Sequence, residues 1–253
     1  MKLTQNTIFI TGGTSGIGRA MAEKFHQLGN QVIISGRREA LLKAVTTANP
    51  GMDYVVLDVT RADSIQAAAQ DVLQRYPALN VVINNAGIMP FDHADAGLDD
   101  EQAVTLLNTN ILGPVRVSAA FITHLKQQPD AVLINNSSVL AFLPLASNAL
   151  YSATKAAIHS YTLSQRFLLR DTPVKVIEIA PPWVDTDLIY KSGDPRAMPL
   201  DDFIRETFDK LATDTLEAIV DRVLPIRDNP GMNEHTLVNQ FNQSVADNPI
   251  PVQ

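Results

Sequence analysis

TGGTSGIG, Thr11 to Gly18, closes a short apolar run and opens a helical pattern. Gly12, Gly16 and Gly18 keep side chains away from a turn that a pyrophosphate must approach closely. The helix that follows offers free N–H groups and a positive dipole end at the same place. A glycine triplet alone says little. Between a strand and a helix it has the context that dinucleotide binding requires. Thr14, Ser15 and Ile17, set among the glycines, count with them as cofactor-binding residues.

Outward from this turn, Val- and Ile-rich runs at 7–11, 31–35, 54–57, 81–84, 131–135 and 174–179 read as strands. Helical patterns lie between them, near 17–28, 39–48, 62–75, 100–126 and 151–170, and resume near 201–212 and 215–224. Gly29–Asn30, Pro50–Gly51, Pro77, Pro129–Asp130 and Pro173 punctuate the boundaries. Near-continuous apolar strands alternating with helices predict a parallel sheet covered on both faces. Right-handed crossovers then give a doubly wound α/β architecture. The 253 residues fit a single domain, with about 181–212 as a substrate loop or lid. Residues 226–253 form an atypical C-terminal tail, polar and extended in this reading.

The second strand ends in ISGRRE, about twenty residues after the turn. An acidic residue there binds the adenosine ribose hydroxyls in dinucleotide folds. Here Gly36, Arg37 and Arg38 stand instead, and a guanidinium matches a phosphate in charge and fork geometry. The expectation is NADP(H) in preference to NAD(H), with NAD(H) as the other cofactor.

Tyr151 and Lys155 lie four apart in YSATK, thirteen residues after Ser138 in INNSS. Four residues is about one helical turn, so both side chains leave one face. A phenol beside an ammonium can be held partly as phenolate near neutral pH, which makes a general acid/base for carbonyl or alcohol chemistry.

Taken together, these residues resemble the short-chain dehydrogenase/reductase family, over about residues 5–190. TGGTSGIG matches its TGxxxGxG turn, NNAG at Asn84 to Gly87 its fourth-strand motif, and Asp58–Val59 its adenine-contacting pair. Asn110 matches the helix asparagine, and Ser138, Tyr151 and Lys155 match the catalytic serine and YxxxK pair. Within the family, IAPPWVDTDL and LRDTPVKVIEIAPP look like the DltE-like oxidoreductases. The resemblance implies a Rossmann sheet of order 3-2-1-4-5-6 and hydride transfer between nicotinamide C4 and a carbonyl or carbinol carbon. Tyr151 is then the acid/base and Ser138 orients the substrate oxygen. Lys155 bonds the nicotinamide ribose, and Asn110 holds a water linking Lys155 to solvent. Asn85, Ala86 and Gly87 join Asp58 and Val59 at the cofactor.

Two departures stand out. Pro181–Pro182 replaces the family's Pro-Gly, so amide contacts there must come from later residues such as Val184 or the Thr186 hydroxyl, with Pro181 still lining the cofactor. No VDGG-like phrase follows residue 225, which leaves a seventh strand open. A six-stranded sheet, dimerising through the helices near 100–126 and 151–170, is expected.

Composition narrows the rest. Zero Cys removes disulfides, thiolate catalysis and cysteine metal sites. The histidines at 26, 93, 124, 159 and 235 show no metal spacing, so no metal is expected. A formal charge of −7 argues against nucleic acid. No apolar stretch reaches membrane-spanning length and no signal peptide pattern opens the chain, which predicts a cytoplasmic protein without a membrane partner. Phe142, Leu143, Leu145, Met89, Pro90, Phe91, His93, Trp183, Leu188, Ile189 and Tyr190 are candidates to line the pocket, which favours a small hydrophobic ketone, aldehyde or secondary alcohol. Two rivals remain at this point. One is a cofactor-binding regulator without turnover. The other is an epimerase or dehydratase using the same Tyr–Lys pair, for which about 70 residues after Thr186 leave little room for a substrate domain.

Overall fold

Ile8, Phe9 and Ile10 in β1 (Thr7–Thr11) are wholly buried, because strands pair with β1 on both edges and helices cover both faces. The computed structural model describes residues 1–92, 94–191, 193–228 and 234–249. In it β1, β2 (Gln31–Gly36), β3 (Asp53–Val56), β4 (Val81–Asn84), β5 (Val132–Asn136), β6 (Lys175–Ile179) and β7 (Glu217–Ala218) form one parallel sheet, ordered β3-β2-β1-β4-β5-β6-β7. The helices are α1 (Gly16–Gln27), α2 (Glu39–Ala48), α3 (Ala62–Arg75), α4 (Asp100–Leu107), α5 (Gly113–Leu125), α6 (Ala149–Leu168), α7 (Leu200–Leu211), α8 (Leu224–Arg227) and α9 (Glu234–Asp247).

Strand alternation splits the core into two layers. Ile8, Ile10, Ile34, Ile83, Ile134 and Ile177 pack with Met21 and Phe25 of α1 and Phe203 and Phe208 of α7. Phe9, Ile33, Val82, Leu133 and Val176 face the other way, onto Ile65 and Val72 of α3 and Phe121 of α5. Burying each such side chain is worth about 1.5–3 kcal/mol. Rings of Phe25 and Phe208, 4.6 Å apart, join α1 to α7. Gly29 ends α1 in the left-handed region at φ 83°, where the sequence places the stop.

Three segments differ from the sequence reading. The helix expected over 100–126 is broken by a π-helical stretch, Asn108–Leu112. Pro114 has no N–H for the Asn110 carbonyl four residues back, so the ladder rephases there. The helix expected near 215–224 is instead β7, pairing Glu178 with Glu217 and Ile179 with Ala218, followed by short helical turns. Ala218, Ile219 and Val220 are all buried, a continuous burial that suits a sheet edge rather than a helical stripe. The sheet therefore has its seventh strand, two residues long and without the glycine-rich phrase that would have marked it. Finally, the tail read as extended contains α9. Leu237, Val238, Phe241 and Val245 recur on one side of it and are partly buried. On α4 to α6, the helices assigned to dimer contact, Val104, Leu107, Leu163, Phe167 and Leu168 are exposed.

Candidate active site

A cavity of about 1120 Å³ runs along the C-terminal ends of the strands, from the glycine turn to α9. Brought together on its wall are Gly12, Thr14, Ser15, Gly16, Ile17, Gly18, Arg37, Arg38, Asp58, Val59, Asn85, Ala86, Gly87, Ser138, Tyr151, Lys155, Pro181, Val184 and Thr186.

At the turn, backbone shape decides. Gly12 has φ 70°, and a Cβ there would stand 2.9 Å from the Ala86 Cα. At Gly18 a Cβ would meet Asn85 Nδ2 at 2.2 Å and the Gly12 carbonyl at 2.3 Å. The first turn of α1 holds no acidic residue, and Ser15 makes no side-chain cap, so its N–H groups face the cavity without an internal acceptor from that side chain. Thr11 Oγ1 accepts from the Asn85 and Ala86 amides at 3.0 and 3.1 Å, and Asn85 Nδ2 donates back to the Thr11 and Gly12 carbonyls. The NNAG asparagine therefore braces the turn with its side chain. The Asp58 carboxylate accepts from the Thr60 amide and hydroxyl. Arg37 and Arg38 are exposed and make no ion pair among the described residues. Asn136 Oδ1 is buried at the cavity without a hydrogen-bond partner. A glycine cradle, open helix amides, two free cations and an orphaned acceptor fit a dinucleotide phosphate and its nicotinamide end.

Ser138 leaves the end of β5 in extended conformation and caps a short 3-10 turn, Val139–Ala141. Its Oγ accepts from the Leu140 amide at 3.1 Å, which leaves its proton to be donated into the cavity. Tyr151 and Lys155 stand on successive turns of α6, each 5% exposed. Lys155 Nζ donates to the Asn136 carbonyl at 2.9 Å and lies 5.6 Å from the Tyr151 ring centroid. Asn110 lies in the π-helical stretch. Its side chain is committed to Ile88, accepting from the amide at 3.0 Å and donating to the carbonyl at 2.9 Å, with Thr154 Oγ1 at 3.2 Å.

Burial pushes the Tyr151 phenol up to about 12, and the hydrogen bond with Ser138 pulls only partly against it. Burial pushes Lys155 down to about 8, with Glu178 opposing. In the ligand-free site burial thus works against the phenolate, while the Lys155 ammonium is held by a backbone carbonyl. A neutral phenol in an apolar setting is a proton donor.

The setting is apolar because Tyr151 belongs to a small cluster with Leu106, Leu140 and Leu145, against which Ile88, Met89, Phe241 and Val245 pack. Of the expected lining, Met89, Pro90, Leu145, Trp183, Leu188 and Ile189 face the cavity. Phe142 does not. It packs edge-on to His159 at 5.0 Å and beneath Arg227. Leu143 is buried, and neither it, Phe91 nor Tyr190 reaches the cavity wall. His93 lies outside the described residues. Phe241, Ser244 and Val245 of α9 complete the wall, a contribution the sequence reading missed. The signal was there in the spacing of Leu237, Phe241 and Val245, diluted by polar neighbours. Asn242 fixes α9 over the opening, donating to the Pro144 carbonyl at 3.1 Å and accepting from the Ala146 amide. On the other side Arg196 donates to the Asn248 and Pro249 carbonyls.

Comparison with known proteins agrees with this geometry. The family model for short chain dehydrogenase matches residues 6–196. The uncharacterized oxidoreductase DltE of Bacillus subtilis (strain 168) is 39% identical over 251 residues, covering 96% of this chain and 98% of the relative. A short chain dehydrogenase/reductase from Burkholderia phymatum, solved in complex with NAD, superposes with TM-score 0.81 at 20% identity, covering 100% of this chain and 99% of that one. An alcohol dehydrogenase from Thermococcus sibiricus, complexed with 5-hydroxy-NADP, gives TM-score 0.75 at 23% identity, covering 85% and 95%. At those identities the two structures speak to the fold alone.

Proposed function

The chain belongs to the short-chain dehydrogenase family and is an NAD(P)-dependent oxidoreductase, and from that premise we propose that it reduces a small hydrophobic ketone or aldehyde, preferring NADP(H), with Tyr151 as the general acid. One observation carries the reading: Tyr151, Lys155 and Ser138 are buried side by side at the apolar end of a cavity whose other end is the glycine turn. The dinucleotide, when bound, supplies or takes the hydride.

The chain's own residues do the rest. Ser138, its oxygen fixed by the Leu140 amide, donates to the substrate oxygen and places it. Tyr151 holds the proton that this oxygen takes as it becomes a hydroxyl. In the reverse direction it accepts one. Lys155, as ammonium, favours the phenolate left behind. Asn110 would hold a water through its main chain, its side chain being spent on Ile88. Two features support NADP(H): Arg37 and Arg38 are unpaired among the described residues, and neither position is acidic. The substrate class follows from the wall of Met89, Leu145, Trp183 and Phe241, roofed by α9.

Replacing Tyr151 by Phe keeps the ring and removes the proton. Turnover of an aromatic aldehyde and ketone panel, read at nicotinamide absorbance, should fall roughly 10²- to 10⁴-fold. NADPH affinity by fluorescence titration should stay within a few-fold. Full activity in Tyr151→Phe would remove the assignment. Turnover by the parent with unchanged nicotinamide absorbance would point to an epimerase or dehydratase instead.

A further inference from the structure

Tyr151 and Lys155 are the first two members of a longer stripe. His159 follows one turn on, so 151, 155 and 159 stand in file along one face of α6. His159 does not meet the cavity. Its Nδ1 contacts both oxygens of Glu178, at 2.8 and 3.1 Å. Glu178 lies in β6 and is completely buried. Its Oε1 also accepts from Ser137 Oγ at 2.5 Å. Three consecutive residues at the end of β5 thus tie three groups together. The Asn136 carbonyl holds Lys155, Ser137 holds Glu178, and Ser138 faces the substrate.

A buried carboxylate is costly unless it is paired and hydrogen-bonded, so the groups around it matter. From α6 come His159 and, farther along, Arg166, which donates to the Val176 and Leu216 carbonyls. From β7 comes Glu217, and from α8 Arg227, which bonds both Glu217 oxygens at 3.0 and 3.1 Å and lies over the Phe142 ring at 5.0 Å. Arg227 and Glu217 largely neutralise each other. His159 is the group at ion-pair distance from Glu178, while Lys155, one turn before it on α6 beside Tyr151, has no carboxylate at that distance among the described residues. Glu178 raises Lys155 against the burial that lowers it. Direct contact would occupy the ammonium's donors. Ser137 and His159 instead occupy the carboxylate oxygens.

We propose that Glu178 and His159 are a buried positioning pair that keeps Lys155 charged without taking up the N–H donors it does not spend on the Asn136 carbonyl. The proposal rests on the reading of Lys155 as part of the reductive site. His159, Glu178 and Glu217 also offer three ligand atoms within 4.8 Å of one another. Each of these carboxylates is already occupied, one by Arg227 and the other by Ser137 and His159, so the cluster is complete with a guanidinium as its cation.

The test reads Lys155 itself, in ligand-free protein. The ¹³Cε resonances of labelled lysines are followed with pH, and Lys155→Met assigns the resonance. Below its midpoint Lys155 is charged and above it neutral, so removing the Glu178 charge must move the midpoint down. Glu178→Gln should lower it by about one pH unit, while Ser137→Ala, which keeps the carboxylate, should move it far less. The alkaline limb of carbonyl reduction should move down with it. Glu178→Met serves if Glu178→Gln does not fold. A folded uncharged variant with the parent midpoint overturns the proposal. So does a midpoint that shifts when EDTA is added to the parent, or stoichiometric Zn²⁺ or Mn²⁺ binding lost in Glu178→Gln, either of which would make the cluster a metal site. Failure of the reductive reading looks different: the parent reduces nothing in the panel, yet the titration still responds to Glu178.

Discussion

The two ends of the cavity are built by different physics. At the end proposed for the dinucleotide the turn is shaped by backbone, and side chains matter by their absence: Gly12 and Gly18 stand where any Cβ would collide. At the substrate end side chains make the surface, and they arrive from distant parts of the chain. Met89 follows β4, Leu145 follows β5, Trp183 follows β6, and Phe241 comes from α9. A site made of backbone constrains sequence locally. A site made of apolar side chains constrains only size and polarity.

The sharpest way to break this contrast is at Gly18. A methyl group there meets Asn85 and the Gly12 carbonyl, so the turn or β4 must move. Gly18→Ala should weaken NADPH and NADH alike by roughly 100-fold and lower stability by about 1–3 kcal/mol. Paired fluorescence titrations and thermal melts measure both. Parent-like binding of both cofactors would show that the turn has slack and that backbone shape is not what selects the ligand.

The same contrast explains what the sequence could disclose. The sheet order and the glycine turn were legible, because strands buried on both faces must be apolar and a tight turn must be glycine. Ser138, Tyr151 and Lys155 were legible because a helix turn and a strand end fix their spacing. β7 was not, being two residues long with its burial supplied by β6 beside it. Phe241 was not, since half-burial on a mostly polar helix looks like a solvated tail until the partner surface of Leu140, Leu145 and Tyr151 is known. Glu178 and His159 were illegible for a related reason. They meet from β6 and α6, nineteen residues apart, and neither spacing nor composition signals a pair. Sequence separation set Lys155 one turn from Tyr151 without showing that its ammonium is held by the Asn136 carbonyl, or that burial raises the phenol.

Between the extremes lies Arg37, the side chain we assign to 2′-phosphate recognition at the backbone-built end. It is exposed and at the end of β2. A charge-assisted bond to a phosphate is worth about 1.5–3 kcal/mol. Arg37→Ala should therefore weaken NADPH about 10- to 100-fold and leave NADH within about threefold. The ratio of the two dissociation constants is the informative number. An equal loss for both would assign Arg37 to the general field of the site rather than to a 2′-phosphate.

The smallest effect, and the one that tests the substrate end, is at Phe241. Its ring packs on the cluster that contains Tyr151, while Asn242 and Arg196 hold α9 in place from either side. Phe241→Ala leaves those anchors intact and removes only surface. Lost apolar contact of this kind is worth about 1 kcal/mol per partly buried ring face. KM for a bulky aromatic ketone should rise about 3- to 10-fold, with kcat within about twofold and NADPH affinity unchanged. A compact aliphatic ketone, which does not reach α9, should show less of a change. That split matters more than its size. If KM rises equally for both substrates, α9 orders the site as a whole. If NADPH affinity falls with it, the roof and the dinucleotide end are mechanically one unit, and the division between a backbone-built and a side-chain-built half does not hold.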